Sequence, residues 1–496
     1  MSNLCAVVLL VLIHLYCGVC CPEPCQCFSG SKLVCSDDRM KSLPVNISTQ
    51  VRELIVVASG IPDLDQQSFP ETLRLSKLVF LNGMLKSVSG EAFERLVELR
   101  ELEISGNICW MSLDIQTFSS LTNLTRLLLN NNKLSGVDAG LFHSLHQLEM
   151  LQLRGNGLSF LSGRLFQRLH RLQELDLSFN QISSLSTELF QNNSELRVLS
   201  LQANKIPNLP DGIFTHLDHL QELNLRSNLI RVLTPGSFPA SLKTLILKKN
   251  LLEKLTNAVF HTLHYITYLD LSQNSLTEVP ADLFQNLISL ETLDLSENRI
   301  STLAGSVFKG LFSIKSVYLQ KNSLISVDAH LLKDQHDLQL LDLSNNSLRS
   351  IPSGFFEDLD FQCVFELRGN PWSCDCGIHY FYDWLKYNHK HVKDLSRVSC
   401  EAPELIQGHN LRSVDREQLV CSRNSSSNSP EMISVDEGSI QCSVQELKGT
   451  ASIECKVTKC TNVKFQAAFQ FANGNESGRV VGKEWPAPIG CSTGTA

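Results

Sequence analysis

The chain contains the stretch Leu172-Gln-Glu-Leu175-Asp-Leu177-Ser-Phe-Asn180-Gln-Ile182, in which aliphatic residues and one asparagine stand at fixed intervals. Phrases with the same spacing recur about every 24 residues along most of the sequence. Leu175 and Leu177 alternate with polar residues, which is typical of a strand with one buried face. Thirteen copies begin at Val51, Leu75, Leu99, Leu124, Leu148, Leu172, Leu196, Leu220, Leu242, Ile266, Leu290, Ile314 and Leu338, and a degenerate copy begins at Gln362.

Two further columns follow the same period. An asparagine stands where each phrase turns away from its strand, and we expect its side chain to bond buried backbone groups of the turn. A phenylalanine recurs on the returning side of each coil and predicts a stacked aromatic core. The asparagines are Asn107, Asn132, Asn156, Asn180, Asn204, Asn228, Asn250, Asn274, Asn298, Asn322, Asn346 and Asn370. The phenylalanines are Phe93, Phe118, Phe142, Phe166, Phe190, Phe214, Phe238, Phe260, Phe284, Phe308 and Phe356.

The phrase L-x-x-L-x-L-x-x-N-x-L is the signature of a leucine-rich repeat. It predicts an α/β solenoid shaped as a horseshoe, with disulfide-capped ends, a parallel sheet on the concave face and a small β-rich module at the C-terminus. A solenoid of this kind is mainly a large curved surface, which favours a binding function over catalysis.

The composition excludes several other functions. The 496 residues carry a net charge of −8 with both signs mixed along the chain, unlike the clustered Lys and Arg of a nucleic-acid-binding protein. His146 and Glu149, like His219 and Glu222, have half the spacing of a zinc-peptidase motif, but these histidines fall at a position of the repeat that often carries histidine. We therefore predict no catalytic residue, no metal and no cofactor.

The beginning of the chain predicts secretion. Residues 6–13 form a short apolar run, and Gly18 and Cys20 are small residues at a suitable cleavage point, which is typical of a signal peptide. The run is too short to span a bilayer, and no later stretch approaches 18 consecutive apolar residues. We expect an extracellular protein with no membrane partner.

Most cysteines fall into three groups of four after residue 20, as expected for disulfides in an extracellular chain. Zinc is the alternative for any group of four, but these spacings lack the paired C-x2-C knuckles of a zinc site. The groups are Cys21, Cys25, Cys27 and Cys35; Cys374, Cys376, Cys400 and Cys421; and Cys442, Cys455, Cys460 and Cys491.

Cys109 and Cys363 stand outside these groups. Cys109 replaces the final leucine of its phrase, so we expect a buried thiol. Cys363 falls at an outward position of the last strand, roughly 50 Å from Cys109 at about 4.8 Å per strand. Because the two are too distant to bond to each other, Cys363 is free, pairs with another chain or disturbs the disulfide pairing nearby, and we predict one of the first two.

The sequence divides into six parts, because the ends of a solenoid need caps and two cysteine groups lie where caps are required. Alternating runs at 451–457 and 463–469 predict strands in a disulfide-tied tail. The parts are a signal peptide at 1–20, an N-terminal cap at 21–50, about 13 repeats and a capping strand at 51–370, a C-terminal cap at 371–421, a linker at 422–432 and the tail at 433–496.

Sequons and outward strand positions define the surface. Glycans mark surface that is not an interface, and the sequons are Asn46, Asn123, Asn192, Asn345, Asn424 and Asn475. An apolar cluster rimmed by charge predicts a partner-binding site, unless the N-terminal cap folds over it. Its residues are Ile55, Val57, Val79, Leu81 and Leu128.

Charge is segregated farther along the same face. A basic stretch precedes an acidic column that Tyr318 interrupts, and such segregation suits protein recognition. The alternative is a merely solvated surface. The basic residues are Arg154, Arg226, Lys248 and Lys249, and the acidic residues are Asp270, Asp294, Asp342 and Glu366.

The flanks resemble the cysteine-rich caps of extracellular leucine-rich-repeat proteins, on the residues Cys21-x3-Cys-x-Cys-x7-Cys35 and Asn370-Pro-Trp-Ser-Cys374-Asp-Cys376. That resemblance implies the pairs Cys21–Cys27, Cys25–Cys35, Cys374–Cys400 and Cys376–Cys421. Lys77-Leu-Val-Phe-Leu-Asn82 and the tail pattern of Gln441-Cys442, Gly449-Thr450, Cys455 and Cys460 resemble the family of carboxypeptidase N subunit 2.

This second resemblance implies a non-catalytic regulatory subunit in blood plasma. Its partner would be a zinc carboxypeptidase subunit that removes C-terminal Lys and Arg from peptides such as kinins and anaphylatoxins, in a heterotetramer of two regulatory and two catalytic chains. The alternatives are a soluble leucine-rich-repeat recognition receptor and a matrix-binding protein, neither with an enzyme partner. The fold alone does not choose among these classes.

Overall fold

The computed structural model describes residues 21–28, 30–357, 359 and 363–421 in full. It also gives the backbone of residues 431–434, 440–447, 450–457, 467–470 and 477–480. The expected signal peptide, the linker residues 422–430 and the sequons Asn424 and Asn475 lie outside the described residues. Contacts divide the chain into two units, Met1–Cys421 and Ser422–Ala496.

The first unit is a leucine-rich-repeat solenoid built from short parallel strands. The middle residue of each three-residue strand is buried, and its two neighbours face outward because successive side chains alternate. The strands are β1 (Cys25–Phe28), β2 (Lys32–Ser36), β3 (Glu53–Val57), β4 (Asp63–Leu64), β5 (Lys77–Leu81), β6 (Ser87–Val88), β7 (Glu101–Ser105), β8 (Arg126–Leu128), β9 (Met150–Gln152), β10 (Glu174–Asp176), β11 (Val198–Ser200), β12 (Glu222–Asn224), β13 (Thr244–Ile246), β14 (Tyr268–Asp270), β15 (Thr292–Asp294), β16 (Ser316–Tyr318), β17 (Leu340–Asp342), β18 (Val364–Glu366), β19 (Trp372–Ser373), β20 (Val392–Lys393) and β21 (Cys400–Ala402).

Most of these strands form one 17-stranded sheet, in which each repeat pairs with the next in parallel and in register. Leu175, for example, lies opposite Leu151 on one side and Leu199 on the other. Strands β4 and β6 pair separately, as do β19 and β21. Equivalent positions of successive repeats therefore form straight columns across the face of the sheet.

The predicted phenylalanine column is confirmed as an aromatic spine. From Phe93 to Phe214, neighbouring rings stack with centroids 6.1 to 6.4 Å apart, and every ring is buried. Phe69 extends the spine by one repeat and lies 6.0 Å from Phe93. Since strands lie only about 4.8 Å apart, the coils are spaced more widely at the spine than at the sheet. This difference curves the solenoid and places the sheet on its concave side.

From Asn132 onwards, the predicted asparagine ladder joins each repeat to the one before it, whereas the side chain of Asn107 donates only to Ser105 of its own repeat. Asn180 donates its side-chain amide to the carbonyl oxygens of Leu177 in its own repeat and Leu153 in the preceding one, at 3.0 and 2.9 Å. Its Oδ1 accepts a hydrogen bond from the N–H of Leu158 at 3.2 Å. Asn204, Asn228 and the later ladder asparagines repeat the pattern. Buried turn groups thereby find the partners that the apolar core cannot provide.

Each ladder asparagine follows a residue in the left-handed conformation. From Gly106 to Gly369, this preceding residue has φ between +54° and +75° in every repeat, and most of these residues are not glycine. A left-handed non-glycine residue costs roughly 1 kcal/mol. The hydrogen bonds of the adjacent asparagine offset that cost.

The N-terminal cap is a β-hairpin that continues the sheet. Strand β2 pairs antiparallel with β1 and parallel with β3, so it protects the edge of the first repeat. Two disulfides, Cys21–Cys27 and Cys25–Cys35, hold the hairpin together. Both are pairs that the resemblance to capped extracellular repeat proteins implied.

The C-terminal cap covers the other end with a helix and β20, which pairs with the last repeat strand β18. The helix is α1 (His379–Asn388), and its Trp384 stacks on the spine residue Phe356 with ring centroids 3.8 Å apart. Disulfides Cys374–Cys400 and Cys376–Cys421 close the cap, again as implied. Short 3-10 helices occupy Cys376–Ile378, His389–His391, Leu395–Arg397, Glu404–Ile406, Leu411–Ser413 and Arg416–Gln418.

The structure corrects the expected burial of both lone cysteines. Cys109 is only half-buried, because its repeat has one extra residue and Trp110 fills the core position instead. Cys363 is buried rather than outward, and burial raises the pKa of its thiol to about 12. Neither forms a disulfide within the described residues, as predicted for a free Cys363, and burial keeps the Cys363 thiol from another chain.

The second unit is described only as backbone. Strands β22 (Glu431–Ser434), β23 (Ile440–Leu447) and β24 (Thr450–Val457) form an antiparallel sheet that aligns Cys442 with Cys455. Strands β25 (Ala467–Gln470) and β26 (Ser477–Val480) form a hairpin. The tail cysteine side chains, and all of Cys460 and Cys491, lie outside the described residues. Among the described residues, no helix is long and apolar enough to cross a bilayer.

The ladder predicts a large loss of stability on replacing Asn180 with Ala. The Asn180→Ala variant leaves the buried N–H of Leu158 without a partner. It also removes one of the two ladder amides that bond to each of the carbonyls of Leu153 and Leu177, so the free energy of unfolding should fall by about 1 to 3 kcal/mol. Urea denaturation followed by circular dichroism measures this loss. Gln181→Ala is the matched control, because Gln181 is exposed and its side chain makes no hydrogen bond within the described residues. Equal denaturation midpoints for the two variants would contradict the role of the ladder.

Candidate functional site

The candidate site is the concave face, which consists of the outward side chains of strands β3, β5 and β7–β18. Each three-residue strand presents its first and third residues, while the middle residue is buried. The core and the ladder therefore leave these positions free to vary. In-register pairing converts this variation into columns of side chains that a partner can contact together.

The predicted apolar cluster assembles at the N-terminal end of this face. Ile55 pairs in register with Val79, and Val57 pairs with Leu81. Leu128 lies one strand beyond β7, opposite Glu103. Ile55, Val57, Leu81 and Leu128 are half-buried. We call these four residues the apolar patch.

Val79 does not belong to the exposed part of this cluster, which corrects the sequence prediction. Its side chain is only 3% exposed. It lies in the centre of the sheet between Ile55 and Glu103, beside an ion pair of 2.7 Å between Lys77 and Glu101. Longer neighbouring side chains surround the short β-branched side chain of Val79, so Val79 lies below the exposed surface of the patch.

The N-terminal cap lies beside the apolar patch. Strand β2 pairs edge to edge with β3 in the same sheet, with Val34 opposite Ile55. It therefore extends the concave face by one strand and does not fold over it. The structure therefore excludes the alternative in which the cap covers these residues.

The predicted basic residues lie at one edge of the concave face. Arg154, Arg226 and Lys248 each come two residues after a strand ends, so they flank the strand surface. Lys248 approaches Asp270 at 3.9 Å, where the basic and acidic regions meet. Sequence reasoning missed Phe179, which lies under the guanidinium of Arg154 at 4.3 Å from its ring centroid. The signal was a bulky aromatic in a slot that otherwise holds glycine, small or polar residues.

The predicted acidic column forms in register along strands β14 to β18. Asp270, Asp294, Tyr318, Asp342 and Glu366 are the third residues of consecutive strands and lie opposite one another. Strands lie about 4.8 Å apart, so the carboxylates repel one another along the column. This is the strongest concentration of negative charge on the face.

The three aspartates of this column also serve the turn that follows each strand. Asp270, Asp294 and Asp342 each accept a hydrogen bond of 2.9 Å from the backbone N–H of the serine two residues later. Asp270 and Asp342 are buried. These carboxylates are therefore held rigidly by the backbone.

Burial opposes the ionisation of two of these carboxylates. It raises the pKa of Asp294 and of Asp342 above the usual value, and the hydrogen bonds from Ser296 and Ser344 only partly offset the effect. Burial, together with the charges of Asp270 and Asp294, also raises the pKa of Tyr268 to about 12. Tyr268 is therefore a neutral phenol beside the column at physiological pH.

The histidine–glutamate pairs do not form a metal site. His146, Glu149, His219 and Glu222 are all exposed. Within the described residues, no group of three or more His, Cys, Asp or Glu side chains is arranged to hold a metal ion. A catalytic zinc needs three convergent protein ligands.

The described sequons differ in their surroundings. Asn123 and Asn192 lie after the spine phenylalanines, and their side-chain amides donate to backbone carbonyls of the preceding repeat at 3.0 and 3.1 Å. Asn46 is exposed in the N-terminal cap. Asn345 is the left-handed residue before ladder residue Asn346, at the edge of the concave face. Glycosylation of these sites stays a prediction.

The raised pKa values predict how stability depends on pH. The folded state holds a proton on Asp294 and Asp342 more readily than the unfolded chain, so stability falls as pH rises through the carboxylate range. Asn224 accepts the equivalent backbone bond without a charge, so Asp294→Asn and Asp342→Asn should keep the turn. We expect both variants to have higher urea midpoints than wild type at pH 7. The gap should close below about pH 4, and a lower midpoint at pH 7 would contradict the burial cost.

Comparisons with known proteins agree with this architecture. The family model for the leucine rich repeat matches residues 111–158, 147–206, 194–239, 240–300, 266–324 and 312–361, which together span about half of the chain. A leucine-rich-repeat protein of Leptospira interrogans has a similar structure, with a TM-score of 0.57 and 24% identity, over 67% of this chain and 88% of that one. At that identity the likeness concerns the fold alone.

Curated relatives match over shorter stretches. Carboxypeptidase N subunit 2 of Mus musculus is 31% identical over 143 residues, which are 25% of this chain and 26% of that protein. Leucine-rich repeat-containing protein 17 of Homo sapiens is 44% identical over 55 residues, or 11% and 12% of the two chains. These matches therefore span about a quarter or less of the relatives. With the family match over half its length, the chain belongs to the leucine-rich-repeat family.

Proposed function

We propose that this chain is a secreted, non-catalytic glycoprotein whose concave face binds and stabilises the catalytic subunit of a plasma zinc carboxypeptidase. That enzyme would remove C-terminal Lys and Arg from peptides. The similarity to carboxypeptidase N subunit 2 supports the choice of partner. The observation that carries the binding role is the concave face, where charged residues occupy positions for which the fold needs no charge.

The acidic column supports this role because its buried carboxylates lower the stability of the folded chain. At five strands the third residue accepts a hydrogen bond from the backbone N–H two residues later, and Asn224 does so without charge. Asp294 and Asp342 provide the same bond but lose stability by ionising in a partly buried place. Residues that cost stability are typical of sites shaped by function. Basic groups of a partner would relieve the repulsion along the column.

The apolar patch supports the role through its exposure. Ile55, Val57, Leu81 and Leu128 are aliphatic residues grouped on strands β3, β5 and β8, and each keeps part of its surface in solvent. Such a cluster with a charged rim is the usual anatomy of a protein interface. It provides the desolvated anchor, while the charged columns set specificity and the rate of encounter.

Binding would protect the partner by mass action. A chain that binds only the folded catalytic subunit stabilises it in proportion to the logarithm of its concentration over the dissociation constant. Glycans at the sequons would add solvated bulk outside the interface. Two regulatory and two catalytic chains per complex is the stoichiometry that the family resemblance implies.

The second candidate is a soluble recognition receptor or matrix-binding protein without an enzyme partner. It is favoured by the limited extent of the match, which leaves most of the chain unlike the mouse subunit in sequence. Size-exclusion chromatography of the native secreted protein separates the two. Co-elution with carboxypeptidase activity supports the first candidate, and a lone glycoprotein or one retained in the cell layer supports the second.

The apolar patch predicts a specific binding defect. Replacing both Ile55 and Leu81 with serine removes aliphatic surface from the proposed interface without touching the buried Val79. The dissociation constant for the purified catalytic subunit should rise about tenfold or more. Surface plasmon resonance measures it directly. Val232→Ser is the control, because Val232 is an exposed aliphatic residue outside the strands, and equal affinity in all three proteins would refute the patch.

The acidic column predicts that one variant gains stability but associates more slowly with the catalytic subunit. The Asp294→Asn and Asp342→Asn double variant should be more stable at pH 7, yet its association rate with the catalytic subunit should fall severalfold. The dependence of that rate on salt should weaken as well, since screening acts on the removed charges. Stopped-flow kinetics at two ionic strengths provides the measurement. An unchanged rate and salt dependence would show that the column is only solvated surface.

A further inference from the structure

A line of basic side chains follows the edge of the sheet at which the strands of six consecutive coils end. Each of these residues stands two, three or five residues after the last residue of its strand, or of the strand position in its coil. In the six coils, which begin at Leu124 and end with that of Leu242, no acidic residue occupies any of these three positions. We call the basic residues the basic edge, and they are Lys133, Arg154, Lys205, Arg226, Lys248 and Lys249.

Backbone hydrogen bonds between successive coils make this edge continuous. The N–H of Ala203 donates to the carbonyl oxygen of Arg226 at 2.8 Å, and the N–H of Ser227 donates to that of Lys248 at 2.9 Å. Since neighbouring strands lie about 4.8 Å apart, the six coils give a strip roughly 24 Å long. The backbone therefore holds the basic side chains in one line.

The charges of the basic edge have few partners within the protein. Lys248 approaches Asp270 at 3.9 Å. The other five residues are exposed, and none of them forms an ion pair within the described part of the chain. The guanidinium of Arg154 lies over the ring of Phe179, which provides no negative charge. Because like charges in a line repel one another, a bound anion would stabilise the edge.

The fold does not require this charge. In the three coils that precede the basic edge, the same three positions hold only uncharged residues. In later coils, basic residues at these positions have acidic partners. Lys321 pairs with Glu297 at 3.2 Å, and Arg368 pairs with Asp394 at 3.0 Å. A line of mostly unpaired cations is therefore particular to these six coils.

Acidic residues border the basic edge on both sides and make it narrow. Glu174 and Glu222 lie on the strands to one side. Asp211 and Glu253 lie farther along their coils on the other side, and both are exposed. Positive charge is thus confined to a long, thin strip, which fits a linear polyanion better than a broad anionic surface.

The sequons leave the basic edge accessible. Asn123 and Asn192 are the sequons within the six coils or directly beside them, and both precede the strand of their coil. The basic edge follows the strands. Glycans on these asparagines would therefore lie at the opposite end of the strands.

We propose that the basic edge binds an extracellular sulfated polysaccharide, whose sulfate groups contact the line of cations. Both caps contain disulfides, which form in oxidising compartments such as the extracellular space. Sulfated polysaccharides are the densely charged linear polyanions found there. This inference goes beyond the proposed enzyme partner and does not depend on it.

A single-stranded nucleic acid fits the edge less well. Proteins that bind such strands use aromatic side chains on which successive bases stack. Phe179 is the one aromatic residue at the three positions in these six coils. The guanidinium of Arg154 covers one face of its ring at 4.3 Å from the centroid. The edge therefore offers charge without a row of stacking platforms.

Fluorescence anisotropy of labelled heparin with the full-length glycosylated chain tests the proposal. We expect a dissociation constant on the order of 1 to 10 μM at about 0.15 M salt, and affinity should fall as salt rises because counterions are released on binding. The double variant Arg226→Gln with Lys249→Gln should raise the dissociation constant about tenfold or more. It should also lower the slope of log affinity against log salt by about one to two.

The matched control is the double variant Lys309→Gln with Lys333→Gln. It removes the same net charge from two exposed lysines that lie beyond the strands, next to the spine positions. Its affinity for heparin should stay within about twofold of wild type, since these lysines are far from the proposed contacts. Absence of heparin binding at about 100 μM wild-type chain, or equal losses in the two double variants, would overturn the proposal.

Two further measurements test the position of the site and the class of ligand. Bound heparin should protect Lys205 and Lys249 from acetylation, as read by mass spectrometry, and leave Lys309 and Lys333 fully reactive. Single-stranded DNA and phosphatidylserine vesicles should each bind more weakly than heparin. Full reactivity of Lys205 and Lys249 with bound heparin, or tighter binding of the DNA or of the vesicles, would overturn the proposal.

Discussion

The fold depends on one hydrogen-bonding arrangement, in which the amide of an asparagine joins two successive coils. Asn180 bonds to Leu153 and Leu158 of the preceding repeat and to Leu177 of its own. The bond to Leu158 satisfies a buried N–H that would otherwise cost about 1 to 3 kcal/mol. The ladder bonds also hold the left-handed residue before each asparagine. Because the ladder and the spine stabilise each coil, most outward side chains of the strands are not needed for folding.

This division between structural and outward positions explains which features could be predicted from the sequence. The ladder asparagines, the spine phenylalanines and the sheet follow from periodicity, because the same physical demand recurs in each coil. Phe69 belongs to the spine but precedes the first regular phrase with a ladder asparagine. Cys109 was misplaced because its repeat has one extra residue, which moves Trp110 into the core. The repeat pattern assigns core and surface positions by their spacing, so the assignment is wrong where a repeat has an extra residue.

The surface was harder to predict, because burial depends on neighbours in other coils. Val79 occupies an outward position but is covered by the side chains around it. Cys363 is buried beside the spine residue Phe356, Phe365 of strand β18 and Trp384 of the C-terminal cap, and the repeat pattern does not place Trp384. The stack of Arg154 on Phe179 joins two repeats. Alternation along one strand contains no information on such contacts.

Hydroxyl-radical footprinting of the complex tests most directly whether the concave face is the recognition surface. The chain would be labelled alone and with the purified catalytic carboxypeptidase subunit. If the concave face binds the enzyme, Leu81, Leu128 and Tyr318 should lose reactivity in the complex, while the reactivity of Phe160 and Val232 should stay unchanged. Protection of Phe160 and Val232 with full reactivity of Leu81 and Tyr318, or no protection at saturating enzyme, would contradict it.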